Sequence, residues 1–322
     1  MKNSLLITNS YYVLISAISM DLFGSSSDEE EESLITSTTQ SQTPSHQKPQ
    51  RPRENGVMQF HTGTEQALLV YVTQHASGDE KDKGNSPEDI LRLVDSFCEE
   101  RHWMMHIGSL KVEILRDALH KRMATFSAVP SSSSPQAPLI LLELGTYCGY
   151  SAVQLCSLLK SNYPSQPFLL YSLEIDEKNA RVAREIIRLS GFSSNVKVFV
   201  AHDVEDGLVE VTKDLGLPPS SSGPSPFVDL LFIDHDKDSY LSDLRLVISN
   251  GYLKSDAVVI ADNVIMGRID DYLDFVRGEA AKADGLFTSS RLFESTVEYC
   301  EQDVDQWGED ALKDGVEVSV FR

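Results

Sequence analysis

Six charged or amide residues in this chain fall where apolar runs stop, and their types define a chemistry. Asp234, Asp236, Lys237 and Asp238 crowd into "LLFIDHDKDSYL", residues 230–241. Asp262 and Asn263 close "AVVIAD" one residue into the next segment. Asp234, Asp262 and Asn263 offer two carboxylates and an amide carbonyl, a hard-oxygen set that suits Mg2+ better than the nitrogen and sulfur ligands zinc prefers. Lys237, three positions past Asp234, is placed to take a proton if burial and a nearby divalent cation lower its pKa. The competing readings are plain: a solubilising surface loop, and an Asx pair that only caps a helix.

A second group surrounds "LLELGTYCGYS", residues 141–151. Glu143 precedes a turn whose Gly145 and Gly149 let a ligand approach the backbone, and Ser151 opens or caps the helix that follows. The spacing differs from the GxGxxG fingerprint of dinucleotide sites, so a pyrophosphate ligand is disfavoured. Glu174, ending the next apolar run, lies where an acid accepts hydrogen bonds from ribose hydroxyls, and Glu143 could serve an amino group. Ribose, ammonium and sulfonium without phosphate describe S-adenosylmethionine. A glycine turn needed only for helix packing is the alternative.

These residues need a frame that brings strand ends together. The runs "LILLEL", "FLLYSLEI", "VKVFVA", "VDLLFID" and "AVVIAD" alternate with helical segments, the pattern of βαβ units in a parallel sheet covered on both faces. Ligands bind beyond the carboxyl ends of such strands. Four of the five runs end at or next to an acid, and the third reaches Asp203 two residues on through "AHD", which weakens the surface-loop reading. Helical segments precede the sheet, around "TEQALLVYVTQHA", "SPEDILRLVDSFCEERHW" and "GSLKVEILRDALHKRMA". Ser86, Pro87 and Glu88 make a strong helix start. At the far end "LFTSSRLFES" and "GVEVSVFR" read as an antiparallel pair closing the sheet. The expected fold is α/β: a doubly wound, mostly parallel seven-stranded sheet with extra N-terminal helices and a C-terminal antiparallel pair.

Composition sets the outer limits. With 322 residues and 41% hydrophobic content, a sizeable core is available. A formal net charge of −21 argues against a nucleic-acid partner, which would need lysine and arginine to displace counterions. Four cysteines without a CxxC or Cys/His cluster indicate neither a disulfide framework nor a zinc site. The first twenty residues are too interrupted by polar side chains for a membrane span, although a weak signal peptide stays open, as does Met20 as the starting residue. Residues 1–57 read as a disordered acidic and polar tail and 58–322 as the folded domain. The expected protein is a cytoplasmic monomer acting on a small molecule, with nuclear access open.

"CEERHWMMHIGSLK", "LLELGTYCGYSAVQL", "LLFIDHDKDSYL", "VVIADNVI" and "STVEY", in that order over roughly residues 64–322, resemble the catechol O-methyltransferase family. The resemblance implies a Rossmann-like methyltransferase fold and Mg2+-dependent methyl transfer from S-adenosylmethionine to one hydroxyl of a catechol. It implies Asp234, Asp262 and Asn263 as metal ligands, Lys237 as general base and Glu298 as the group holding the second hydroxyl. Ile107, Glu143, Gly145, Tyr147, Ser151 and Glu174 would line the cofactor site, with Asp203 and Asp234 beside them. Trp103 and Met105 would flank the methyl donor and the ring, where Lys237 and Asn263 also face the substrate. Asp236 stands where animal members have tryptophan, and Gly267 where they have proline, which implies a wider and more polar mouth. "LPPSSSGPSPF" and "QDVDQWGED", the latter with Trp307, read as surface loops. A doubly wound oxidoreductase, a non-catalytic cofactor-binding protein and an enzyme for other vicinal-dihydroxy phenols are the rival readings.

Overall fold

A computed structural model describes residues 64–76, 85–101, 104–127, 137–217, 225–278, 293–301 and 313–322, with two short strands at 53–54 and 57–58. Strands β1 (Arg53–Glu54) and β2 (Val57–Met58) pair antiparallel. Three helices follow, α1 (Glu65–His75), α2 (Pro87–Glu100) and α3 (Gly108–Ser127). The start of α2 is built as its sequence directs. The Ser86 hydroxyl accepts from the Asp89 amide at 3.2 Å, the Asp89 carboxylate accepts from the Ser86 amide at 3.0 Å, and Pro87 opens the first turn. Its buried Ile90, Leu91, Val94, Phe97 and Cys98 recur at three-to-four spacing and face the core.

The sheet then unfolds as β3 (Leu139–Leu144), α4 (Tyr150–Asn162), β4 (Phe168–Glu174), α5 (Glu177–Leu189), β5 (Val196–Val200), α6 (Val204–Asp214), β6 (Val228–Ile233), α7 (Tyr240–Ser249), β7 (Leu253–Ala261), α8 (Asp270–Arg277), β8 (Phe293–Glu301) and β9 (Lys313–Phe321). Seven strands lie in the order β5-β4-β3-β6-β7-β9-β8, the first five parallel, with β9 antiparallel to β7 and β8 antiparallel to β9. The expected sheet and its antiparallel closure are both present. The strand expected over residues 286–295 overlaps β8, Phe293–Glu301, whose nine residues pair with β9 from Phe293↔Phe321 to Glu301↔Lys313. Residues 286–292 lie outside those described.

Period-two alternation splits β3 between two cores. Leu139 and Leu141 pack with α1 to α5, whereas Ile140, Leu142 and Leu144 pack with α6, α7 and α8. The chain winds from β3 outward through β4 to β5, then returns to lay β6 on the other side of β3. The crevice at that reversal is the usual ligand site of a doubly wound sheet.

At the opposite ends of the strands a buried charge network pins helix to sheet. Asp229 on β6 is fully buried and accepts from the Arg122 guanidinium of α3, from Lys254 Nζ at 2.7 Å and from the Ile140 amide at 2.9 Å. Removing one partner of a buried pair strands the other charge, which typically costs about 3–5 kcal/mol. Asp229→Ala should therefore lower unfolding free energy by about that amount in urea titrations; a loss under about 1 kcal/mol would show that Arg122 finds water instead.

Candidate active site

The reversal point is held open by a backbone contact that only glycine permits. The Asp234 amide donates to Leu144 O at 2.9 Å and the Gly145 amide to Leu173 O at 3.0 Å, so three strand ends meet here. Gly145 has φ +95°, and a Cβ on it would lie 2.3 Å from the Asp234 carbonyl oxygen. Tyr147 follows at φ 47°, a left-handed position in the turn leading to Gly149 and α4.

On the β3–β4 side, Glu174 accepts from the Tyr147 amide at 2.7 Å, the Asp176 amide at 2.9 Å and the Ile175 amide at 3.0 Å. Burial raises its pKa above the usual carboxylate value, while those three amides pull it back. It braces the turn and keeps lone pairs for a further donor. Glu143 sits differently. It is wholly buried, accepting from the Ser151 hydroxyl at 2.5 Å and from the Ser172 hydroxyl, which also bonds Thr146 at 2.5 Å. Both its oxygens are thus engaged inside the protein, beneath the turn. Ile107 is buried, Met105 is 49% exposed, and the Tyr147 hydroxyl donates to Glu65 of α1 at 3.0 Å. Asp203 caps α6, accepting from the Asp206 amide at 2.8 Å.

On the β6–β7 side, Ile233 pairs with Ala261, and the Asp262 amide donates to Ile233 O at 3.0 Å, so Asp234, Asp262 and Asn263 emerge together. Each has one polar atom engaged. Asp234 Oδ1 accepts from Lys237 Nζ at 2.9 Å; Asp262 Oδ1 accepts from Lys111 Nζ at 2.6 Å and from the Asn263 amide at 2.7 Å; Asn263 Nδ2 donates to Asp314 at 2.7 Å. Among the described residues Asp234 Oδ2, Asp262 Oδ2 and Asn263 Oδ1 accept no hydrogen bond. Burial, with the nearby Asp234 charge, pushes Asp262 up to about 6 despite Lys111. Three unpartnered hard oxygens in a site short of positive charge match the needs of Mg2+. Lys237 Nζ also donates to the Tyr240 hydroxyl at 2.6 Å and lies 4.7 Å from that ring's centroid; Tyr240 in turn donates to Asp262 O at 3.1 Å. Lys111 and Asp314 were not singled out from sequence, being 151 and 203 positions from their partners in the contacts that define their roles. The Glu298 backbone lies on β8 opposite Val316, but its side chain, like Trp103 and Trp307, is outside the described residues.

Comparison with known proteins identifies the family. A sequence profile described as a methyltransferase domain matches residues 142–264. Catechol O-methyltransferase B of Danio rerio is 32% identical over 256 residues, covering 80% of this chain and 78% of that protein. Catechol O-methyltransferase of Sus scrofa is 31% identical over 218 residues, 68% of this chain and 94% of its own. This chain belongs to the catechol O-methyltransferase family. It is accordingly an S-adenosylmethionine-dependent O-methyltransferase. An O-methyltransferase structure from Bacillus cereus, 17% identical, aligns over 79% of this chain and all of its own with a TM-score of 0.47. No described helix is long and apolar enough to cross a membrane.

Glu143 gives this family member a measurable pH signature. Burial raises its carboxyl to about 7, outweighing the two serine donors. Its folded pKa therefore exceeds the ordinary value of about 4.3, so its favourable contribution is complete below that value and lost as pH rises through about 7. Glu143→Gln should gain roughly 1–3 kcal/mol relative to the wild type between pH 5 and pH 8 in urea unfolding of the cofactor-free protein. A pH-independent difference would mean the carboxyl is already ionised at pH 5.

Proposed function

We propose that the chain transfers the methyl group of S-adenosylmethionine to one hydroxyl of a catechol, with Mg2+ held by Asp234, Asp262 and Asn263 and with Lys237 as general base. What carries this reading is the set of three unpartnered oxygens at two neighbouring strand ends, with a lysine amine beside them. When bound, the ion would lower the pKa of a substrate hydroxyl. An ammonium has three donor directions, and Lys237 Nζ spends two on Asp234 and Tyr240. The third faces whatever else enters, and in the neutral amine it is a lone pair able to accept the hydroxyl proton. Two fixed contacts thus orient Nζ before substrate arrives, which places the proton acceptor at low entropic cost. The substrate oxygen then bonds the methyl carbon as the carbon–sulfur bond breaks, leaving a neutral thioether. Glu298 would hold the second hydroxyl, and Met105 and Ile107 with Trp103 would flank the donor and ring.

A second acceptor class, other vicinal-dihydroxy phenols, is favoured by the mouth of the site. Asp236 is exposed there. A Cβ on Gly267 would come 2.8 Å from the Asn263 carbonyl oxygen and 3.2 Å from Lys237 Cγ. The turn after β7 therefore packs directly against the Lys237 stem, where the proline of animal relatives would force it outward. Ile265 and Met266 are 37% and 36% exposed. A mouth with a carboxylate and no ring wall at these two positions does not demand a catecholamine.

The test is methyl transfer from labelled S-adenosylmethionine to catechol, caffeic acid and phenol, with Mg2+ or with chelator. Vicinal diols should be labelled only with Mg2+, and phenol not at all; labelling that survives chelation would remove the metal from the mechanism. Lys237→Ala should lose about 10²–10⁴-fold in turnover while S-adenosylhomocysteine binds within about twofold of the wild type. Comparable loss of binding would make Lys237 a structural residue.

A further inference from the structure

We propose that Asp314 and Lys111 form a clamp that aims the free oxygens of Asp262 and Asn263, making both positioning residues for the metal. This rests on the Mg2+ reading above. Asp314 lies on β9 with no exposed surface. Its Oδ2 accepts from Lys111 Nζ at 2.9 Å and from Asn263 Nδ2 at 2.7 Å, and its Oδ1 accepts from the Met266 amide at 3.2 Å. Lys111, on α3, bridges from Asp314 to Asp262 Oδ1.

The chemistry of each partner makes the clamp selective. An asparagine amide can present either end by a half-turn about its last bond. An ionised carboxylate only accepts, so Asp314 binds the NH2 end and turns Oδ1 the other way. A lysine ammonium only donates, so Lys111 occupies one oxygen of Asp262 and fixes the plane of the other. Asn263 also has φ 57°, an unfavourable backbone for a residue with a Cβ, and the contacts of Asp314 to its side chain and to Met266 span that turn. Burial would push the Lys111 ammonium down, but Asp262 and Asp314 hold it well above the ordinary lysine range. Burial would likewise raise Asp314, yet Lys111 holds it below the usual carboxylate value. With one positive and one negative partner, the clamp adds no net charge: it sets direction, not field.

Residues that orient metal ligands typically change affinity 10–100-fold when replaced. Two variants keep net charge while altering the clamp: Lys111→Met/Asp314→Leu removes it with apolar groups of similar size, and Asp314→Glu shifts the carboxylate by one methylene. Mn2+ is the probe, titrated by electron paramagnetic resonance with S-adenosylhomocysteine present, and S-adenosylhomocysteine binding is followed by calorimetry. Each folded variant should bind Mn2+ about tenfold more weakly and S-adenosylhomocysteine within twofold of the wild type. If the double variant does not fold, Asp314→Glu decides alone. Unchanged Mn2+ affinity in a folded variant overturns the clamp, as does a parallel loss of both ligands, which would mark a merely structural role. A wild-type protein that binds no Mn2+ would instead bring down the metal reading and the clamp with it.

Discussion

The close approach of β3 to β6 at Gly145 is the constraint on which the site depends. Two parallel strands leave the reversal point of the sheet in different directions, and their ends must diverge enough to admit a ligand while remaining hydrogen-bonded just below. The Asp234 amide still reaches Leu144 O, yet a methyl group on residue 145 would collide with the Asp234 carbonyl. A positive φ at 145 then turns the chain so that the Tyr147 amide meets Glu174 on the neighbouring strand. The turn, Glu174 and Asp234 are thus fixed by one backbone contact.

Around that contact the protein concentrates negative charge at a cost. Glu143, Glu174 and Asp262 are all buried and all raised above ordinary carboxylate values, with burial the leading cause in each. Lys111 and Lys237 are the lysines bonded to the β6–β7 cluster. Such an arrangement is poor for stability, because buried ion pairs seldom recover their desolvation energy. It favours the approach of cations, since each arriving positive charge relieves repulsion already present. The contrast with Asp229 is informative: that buried acid sits at the start of β6 with two cations and an amide, fully compensated, and serves the fold.

Much of this was legible in the sequence because the strands are nearly continuous apolar runs and the acids follow them directly. β3 coincides with "LILLEL", and the Ser86–Pro87 start of α2 is where local rules put it. The strand expected over "LFTSSRLFES" overlaps β8 in its last three residues, and the extent of β8 through "FESTVEYCE" is set by its pairing with β9, which local alternation does not reveal. Lys111 and Asp314 could not be found by local pattern. A lysine on a helix and an aspartate before a glycine carry no distinguishing spacing, and only the tertiary fold brings α3 and β9 to Asp262.

Glu143 shows how alternation within a strand sets the face on which a strand-end acid lies. Side chains alternate along β3, and Leu142 and Leu144 point to the α6–α8 core, so Glu143 between them must point to the opposite face with Leu139 and Leu141, under α4. There it meets Ser151, the second residue of that helix, and Ser172 on β4. Asp234 and Asp262 escape this rule because each lies one residue beyond its strand, where the pleat no longer dictates direction. The position of an acid relative to the last paired residue, more than its mere proximity to a strand end, sets the direction in which its carboxylate faces.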